Sequence, residues 1–303
     1  MLESIVGALL PIIVTLLLGV LAAWHRDFDD NGAATLNRLV LMYALPLYLI
    51  ASLAGTSRSA ILSQLPLAFV IFLSMILSYA ATFAIAFLVF KRRREIASLQ
   101  ALAIAGPAVP LVGTPLLGHL FGVKSVVPIS VSALVFSVIL LPLTLVVLSS
   151  GSTAPLSSVR KAFRQPLVWG ALLGLAIVLA GMRIPVVLQD SLMLLGSATG
   201  GVALFASGVV VYSQRAAFTW PVAVSVLGRN VLVPSLAWAG AWAFLPHTEL
   251  QELVLTMAIP VPVFAVILAE QYQLAQREMA STLFFSTILS MITMGVFIWL
   301  LGA

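Results

Sequence analysis

Arg229 stands alone among apolar residues, ten positions after Thr219 and sixteen before Leu245, with no other ionisable side chain between them. An arginine at the centre of a membrane helix costs about 2.5–3.5 kcal/mol on insertion scales. It must therefore hold partners inside a bundle or meet an anionic ligand. Its planar fork can grip a carboxylate through two parallel hydrogen bonds. Sequence leaves two roles open: contacting or organising a substrate site, or pairing with backbone carbonyls, since no Asp or Glu lies deep in another apolar stretch. Asn230, one residue on, points about 100° away round a helix and reads as an interhelical hydrogen bonder.

Two proline clusters are the second feature that could do chemistry: Pro107, Pro110 and Pro115 in one stretch, Pro260 and Pro262 in another. Proline has no N–H and its ring clashes with the carbonyl four residues earlier, so each cluster should unwind a helix rather than bend it. Backbone groups freed in hydrocarbon are tolerated only where they are buried in protein or line a watery cavity. Matched breaks thus predict a midplane site where half-helix N-termini favour an anion. The expected binding set is Arg229 with Pro110, Gly113 and Thr114 from one break and Pro260, Pro262 and Val263 from the other.

Nothing else in the chain suggests bond-breaking chemistry. Cysteine is absent, and His25, His119 and His247 are scattered. No metalloprotease, nucleophile-elbow or phosphate-loop motif occurs. Asp190, Glu249, Glu252 and Glu270 fall at the ends of apolar stretches, where solvated or capping roles are expected. No catalytic residue, metal or cofactor is expected, and an enzyme is disfavoured. A coupling ion, proton or sodium, stays open.

The elements that must position these residues follow from composition. Of 303 residues, 62% are hydrophobic and 8% charged, against roughly 25% charged in soluble domains. The chain lacks polar surface for water, which excludes soluble enzymes and nucleic-acid binders. Breaks in the apolar sequence delimit ten segments of about membrane-spanning length: 4–24, 34–54, 65–90, 97–121, 125–148, 166–182, 187–212, 219–245, 250–269 and 279–301. They are apolar all round, which predicts helices rather than barrel strands. The first is read as a membrane helix and not a signal peptide, because Glu3 stands where a basic region would be. Thr199, Gly200, Gly201 and Ser207 give the seventh segment a small face suited to close packing, with the lining of a path as the alternative.

The halves correspond. Leu99-Gln100-Ala101-Leu102 reappears as Leu250-Gln251-Glu252-Leu253, displaced by 151, and Ser137-Val138-Ile139-Leu140 as Ser286-Thr287-Ile288-Leu289, displaced by 149. Five segments per half is odd, so the halves should be inverted, as in many secondary transporters. The expected fold is all-α and integral to the membrane: ten transmembrane helices in two inverted five-helix repeats, residues 1–150 and 166–303, joined by a cytoplasmic linker over 151–165. Connections after odd-numbered segments, counted with Arg38 at the start of the second segment, carry eleven Lys and Arg, the run Lys91 to Arg94 among them, and those after even-numbered segments only Arg58, Lys124 and Arg183. That asymmetry puts both termini on the non-cytoplasmic side.

Several stretches resemble the auxin efflux carrier family, in its bacterial branch, and malonate carriers most. Asn37 to Tyr43 with Leu45-Pro46, Gly113-x-Pro115-Leu116 with Phe121-Gly122, Arg229 with Pro234, and Pro260 to Ala269 with Gln271-Tyr272 carry the likeness in order along nearly the whole chain. The resemblance implies a scaffold from helices 1, 2, 6 and 7, a transport unit from 3–5 and 8–10, and crossing at broken helices 4 and 9. Ala108 and Phe264 stand nearest to positions where the family commonly has asparagines. The implied function is secondary transport of a small carboxylate, malonate first and malate or another dicarboxylate second, across a bacterial inner membrane. A passive anion channel is the alternative. Expected partners are the carboxylate and membrane lipids, with no nucleic acid and with a homodimer to be tested.

Overall fold

A computed structural model describes residues 2–54, 64–149, 166–182 and 184–302; the expected linker over 151–165 lies outside them. The described residues form twelve helices and no strand. In chain order these are α1 (Leu2–Trp24), α2 (30–54), α3 (Leu65–Val89), α4 (Arg94–Ala105), α5 (Thr114–Phe121) and α6 (Val126–Ser149). Then come α7 (Pro166–Leu179), α8 (Val186–Ser213), α9 (Trp220–Ala241), α10 (His247–Ala258), α11 (Phe264–Gln271) and α12 (Gln276–Leu301). Among them α2, α3, α6, α8, α9 and α12 are each long and apolar enough to cross a membrane alone, while α7 is shorter. The seventh helix thus ends at Leu179, before the expected 182, and α2 starts at Asp30, before the expected 34. Asp29 explains the early start: its carboxylate caps the helix by accepting from the Gly32 N–H at 2.8 Å, a bond that also holds its pKa below the usual value.

The stretches expected as 97–121 and 250–269 are not continuous helices. The first runs as α4, leaves helical geometry at Gly106-Pro107-Ala108, and resumes through a wide π turn at Val109–Gly113 into α5. The second runs as α10, breaks over residues 259–263 and resumes as α11. Pro107, Pro260 and Pro262 fall within the breaks, where each removes a backbone donor. Both leading pieces are 12 residues long and both following pieces 8.

Helices pack in two groups bridged by α12, which lies against α1 and α8 as well as α9. α1 lies along α8 and α7 along α2, whereas α3 packs on α4 and α6, and α9 on α10 and α12. Small residues bring the first group close. A Cβ on Gly19 would stand 2.0 Å from the Phe205 carbonyl oxygen, and one on Gly208 2.0 Å from that of Leu16, so the α1 and α8 backbones touch there. Gly170 does the same for α7 and α2, where a Cβ would meet Pro46 Cα at 2.7 Å. The small face of α8 therefore closes at Gly208, while nothing lies within 4 Å of a Cβ on Gly201.

Candidate functional site

The two breaks meet. The Ala108 N–H donates to the Pro260 carbonyl at 3.1 Å, joining the unwound segments directly. A Cβ on Gly113 would stand 3.0 Å from Ile259 Cδ1, so the π turn of the first break also lies against the second. α12 ties down the second break: Val261 N–H donates to Ser286 Oγ at 3.2 Å, and Ser286 Oγ donates to Asn230 Oδ1 at 2.6 Å. Asn230 Nδ2 returns a bond to the Ser286 carbonyl at 2.7 Å, so Asn230 is an interhelical hydrogen bonder.

Arg229 is fully buried. A π turn at Gly228–Leu232 carries it, and Gly228 keeps that turn close to Ile104 of α4. Its Nε donates to the Ile259 carbonyl at 2.7 Å, and its Nη1 to the carbonyls of Ile104 at 3.0 Å and Ala105 at 3.3 Å. These oxygens end α4 and cap α10, where the last carbonyls of a helix have no partner of their own. One guanidinium thus joins the C-terminal ends of both half-helices; its Nη2 has no partner among the described residues.

The cavity at the crossing lies elsewhere. It measures about 200 Å³ and is lined by Ala108 and by Pro262, Val263 and Phe264 where α11 begins, facing Tyr48 of α2 and Met193, Gly196, Ser197, Thr199 and Gly200 of α8. That is the liquid volume of roughly six waters at ~30 Å³ each, the scale of a small organic acid. Its polar groups are hydroxyls and backbone. Thr199 is 4% exposed and its Oγ1 has no hydrogen-bond partner among the described residues, Ser197 lies beside it, and Tyr48 bonds Ser52.

Of the expected binding residues, Pro262 and Val263 line this cavity, as do Ala108 and Phe264. Pro260 and Gly113 join the breaks to each other. Pro110 falls in the π turn and Thr114 opens α5, with side chains outside the described residues. Arg229 is not part of the cavity lining and is turned instead to three carbonyls. Sequence reasoning missed Tyr48 and Ser197, and it gave Thr199 close packing first and the lining of a path second; a hydroxyl in an apolar helix carries no distinguishing signal.

The model of the family described as membrane transport protein matches residues 4–298 of this chain. Proteins described as uncharacterized transporter YfdV, from Escherichia coli strain K12, Escherichia coli O157:H7 and Shigella flexneri, are each 28% identical to it over 308 residues. Each match covers 99% of this chain and 98% of the relative.

Proposed function

Because the chain belongs to the membrane transport protein family, that of the auxin efflux carriers, it is an integral membrane transporter and not an enzyme, and we propose that it moves a small carboxylate, malonate first, by alternating access. Its fold on this reading is ten transmembrane helices in two inverted repeats, with α4–α5 and α10–α11 as the matched broken pair. The equal lengths of the corresponding pieces, 12 and 8 residues, support the repeat. The scaffold is α1, α2, α7 and α8, and the remaining helices carry the substrate. The face bearing Lys91 to Arg94 is cytoplasmic and both termini lie outside, in a bacterial inner membrane.

The observation that carries the reading is the division of helix ends at the crossing. Arg229 engages the carbonyl ends of α4 and α10, and the start of α11 borders the cavity. Helix N-termini attract anions through their unpaired N–H groups and dipole. The carboxylate then sits between the start of α11 and the hydroxyls of Thr199, Ser197 and Tyr48, while Arg229 positions the two breaks. Radiolabelled malonate uptake into proteoliposomes, under separately imposed proton and sodium gradients, tests this and identifies the coupling ion. Saturable uptake with counterflow is expected. Uptake that neither saturates nor shows counterflow would indicate a channel, and no uptake of any small carboxylate would end the reading.

A further inference from the structure

A second cavity, of about 350 Å³, opens along the same seam between α2 and α11, at the end where α2 begins and α11 stops. Asn37, Arg38 and Met42 of α2 face Glu270 and Gln271 of α11 across it. Asn37 is 2% exposed, and neither its Oδ1 nor its Nδ2 has a hydrogen-bond partner among the described residues. A buried carboxamide unpaired at both ends is destabilising, so folding alone would favour Leu at this position. α2 supplies Tyr48 to the central cavity and Asn37 to this one, and α11 supplies Phe264 and Glu270 in the same order. At 1.5 Å per residue the two places are about 9 Å apart along α11 and about 16 Å along α2. The cavities therefore follow one another along a single seam.

We propose that the Asn37 cavity is a transit subsite for the carboxylate, between the central cavity and the aqueous face. The inference rests on the carboxylate-transport reading above. Asn37 Nδ2 donates to a carboxylate oxygen, Oδ1 accepts from a hydroxyl or water moving with it, and the exposed Arg38 supplies positive charge. Glu270 opposes that charge while accepting from Gln276 Nε2 at 2.7 Å. The near-balance keeps binding weak, as a site on a pathway requires, since its occupant must leave.

Asn37→Leu removes both polar ends at similar volume, and [14C]malonate uptake and thermal unfolding read its effect. The expected result is an unfolding temperature equal to or above wild type with the initial uptake rate at least tenfold lower. The chain has no native cysteine, so Met42→Cys gives an independent measurement that leaves Asn37 in place. Saturating malonate should slow its modification by a small methanethiosulfonate at least threefold. Wild-type uptake rates in Asn37→Leu, or Met42→Cys modification unaffected by malonate, would overturn the subsite. A lowered unfolding temperature in Asn37→Leu would also overturn it, because Asn37 would then be serving the fold. If the wild type takes up no small carboxylate, malonate and malate included, the carboxylate reading itself fails, and the ligand named here fails with it.

Discussion

Arg229→Gln tests where the guanidinium is turned. In the wild type it serves three carbonyls on two half-helices, and the shorter Gln amide can reach one helix end at most. Each buried carbonyl left unpaired costs about 1–3 kcal/mol, so two cost about 2–6 kcal/mol. Part is offset because a charge costing about 2.5–3.5 kcal/mol need no longer be held away from water, leaving a net loss of up to about 3.5 kcal/mol. At about 2–4 °C per kcal/mol, the unfolding temperature should fall by up to about 14 °C. Affinity should respond differently, because Arg229 is not part of the cavity lining. Its charge acts on the ligand only through its field, about 1.7 kcal/mol at a separation on the order of 10 Å and an effective dielectric of about 20. That is roughly a twentyfold loss. Arg229→Lys should therefore restore most of the affinity and little of the stability, since it keeps the charge and loses the fork. Unfolding followed by tryptophan fluorescence, with and without malonate, separates the two quantities on purified protein. An Arg229→Gln protein with wild-type unfolding temperature and affinity weakened beyond a hundredfold would refute this account and turn the guanidinium toward the ligand.

Three further outcomes are expected. Thr199→Val removes a hydroxyl that no group in the fold satisfies, so its unfolding temperature should hold or rise. The malonate KM should increase about 2–13-fold, the value of one hydrogen bond of about 0.5–1.5 kcal/mol, and an unchanged KM would remove Thr199 from the site. Gly19→Ala forces α1 from α8, because the new Cβ would lie 2.0 Å from the Phe205 oxygen; a loss of about 1–3 kcal/mol should appear in thermal unfolding, against no change for Gly201→Ala. Ser157→Cys should react with an impermeant thiol reagent only after the cells are opened, while a cysteine near Ala303 reacts from outside, and the opposite pattern would reverse the proposed orientation.

The breaks were legible because proline acts locally. Pro107 and Pro260 deny a donor to a carbonyl four residues back whatever surrounds them, and the helices end within a residue or two of each cluster. Asn230 was legible because its neighbour fixes the angle between their side chains. Pairing of Arg229 with backbone carbonyls was one of the two roles left open, but which carbonyls was not legible, since they belong to two helix ends brought together from sequence positions 125 and 30 residues away. Thr199 was hidden for another reason. Hydroxyls in these helices commonly bond the carbonyl four residues back, as Thr144, Ser225, Thr256 and Thr287 do, and only packing shows which one is denied that partner. The glycines of α8 misled by position. Gly201 and Gly208 share a helix face, but seven residues are about 10 Å of rise, and the contact with α1 closes only at the second.

The electrostatics of the crossing follow from counting helix ends. Breaking two helices at the same place makes four new ends, two with unpaired N–H groups and two with unpaired carbonyls. Each carries an effective charge of about +0.5 or −0.5, so the four together cancel and by themselves favour neither sign of ligand. One cation changes that balance. Arg229, bonded to the ends of α4 and α10, offsets about −1 of carbonyl charge and leaves about +1 on the starts of the two following pieces. Phe264 and Val263, at one of those starts, line the cavity. On the proposed carboxylate reading, a buried arginine thereby biases the cavity toward an anion without contacting one, and it keeps its own bonds when the cavity empties. A carrier needs that arrangement, because a cation bonded directly to the cargo would be left buried and unpaired each time the cargo leaves.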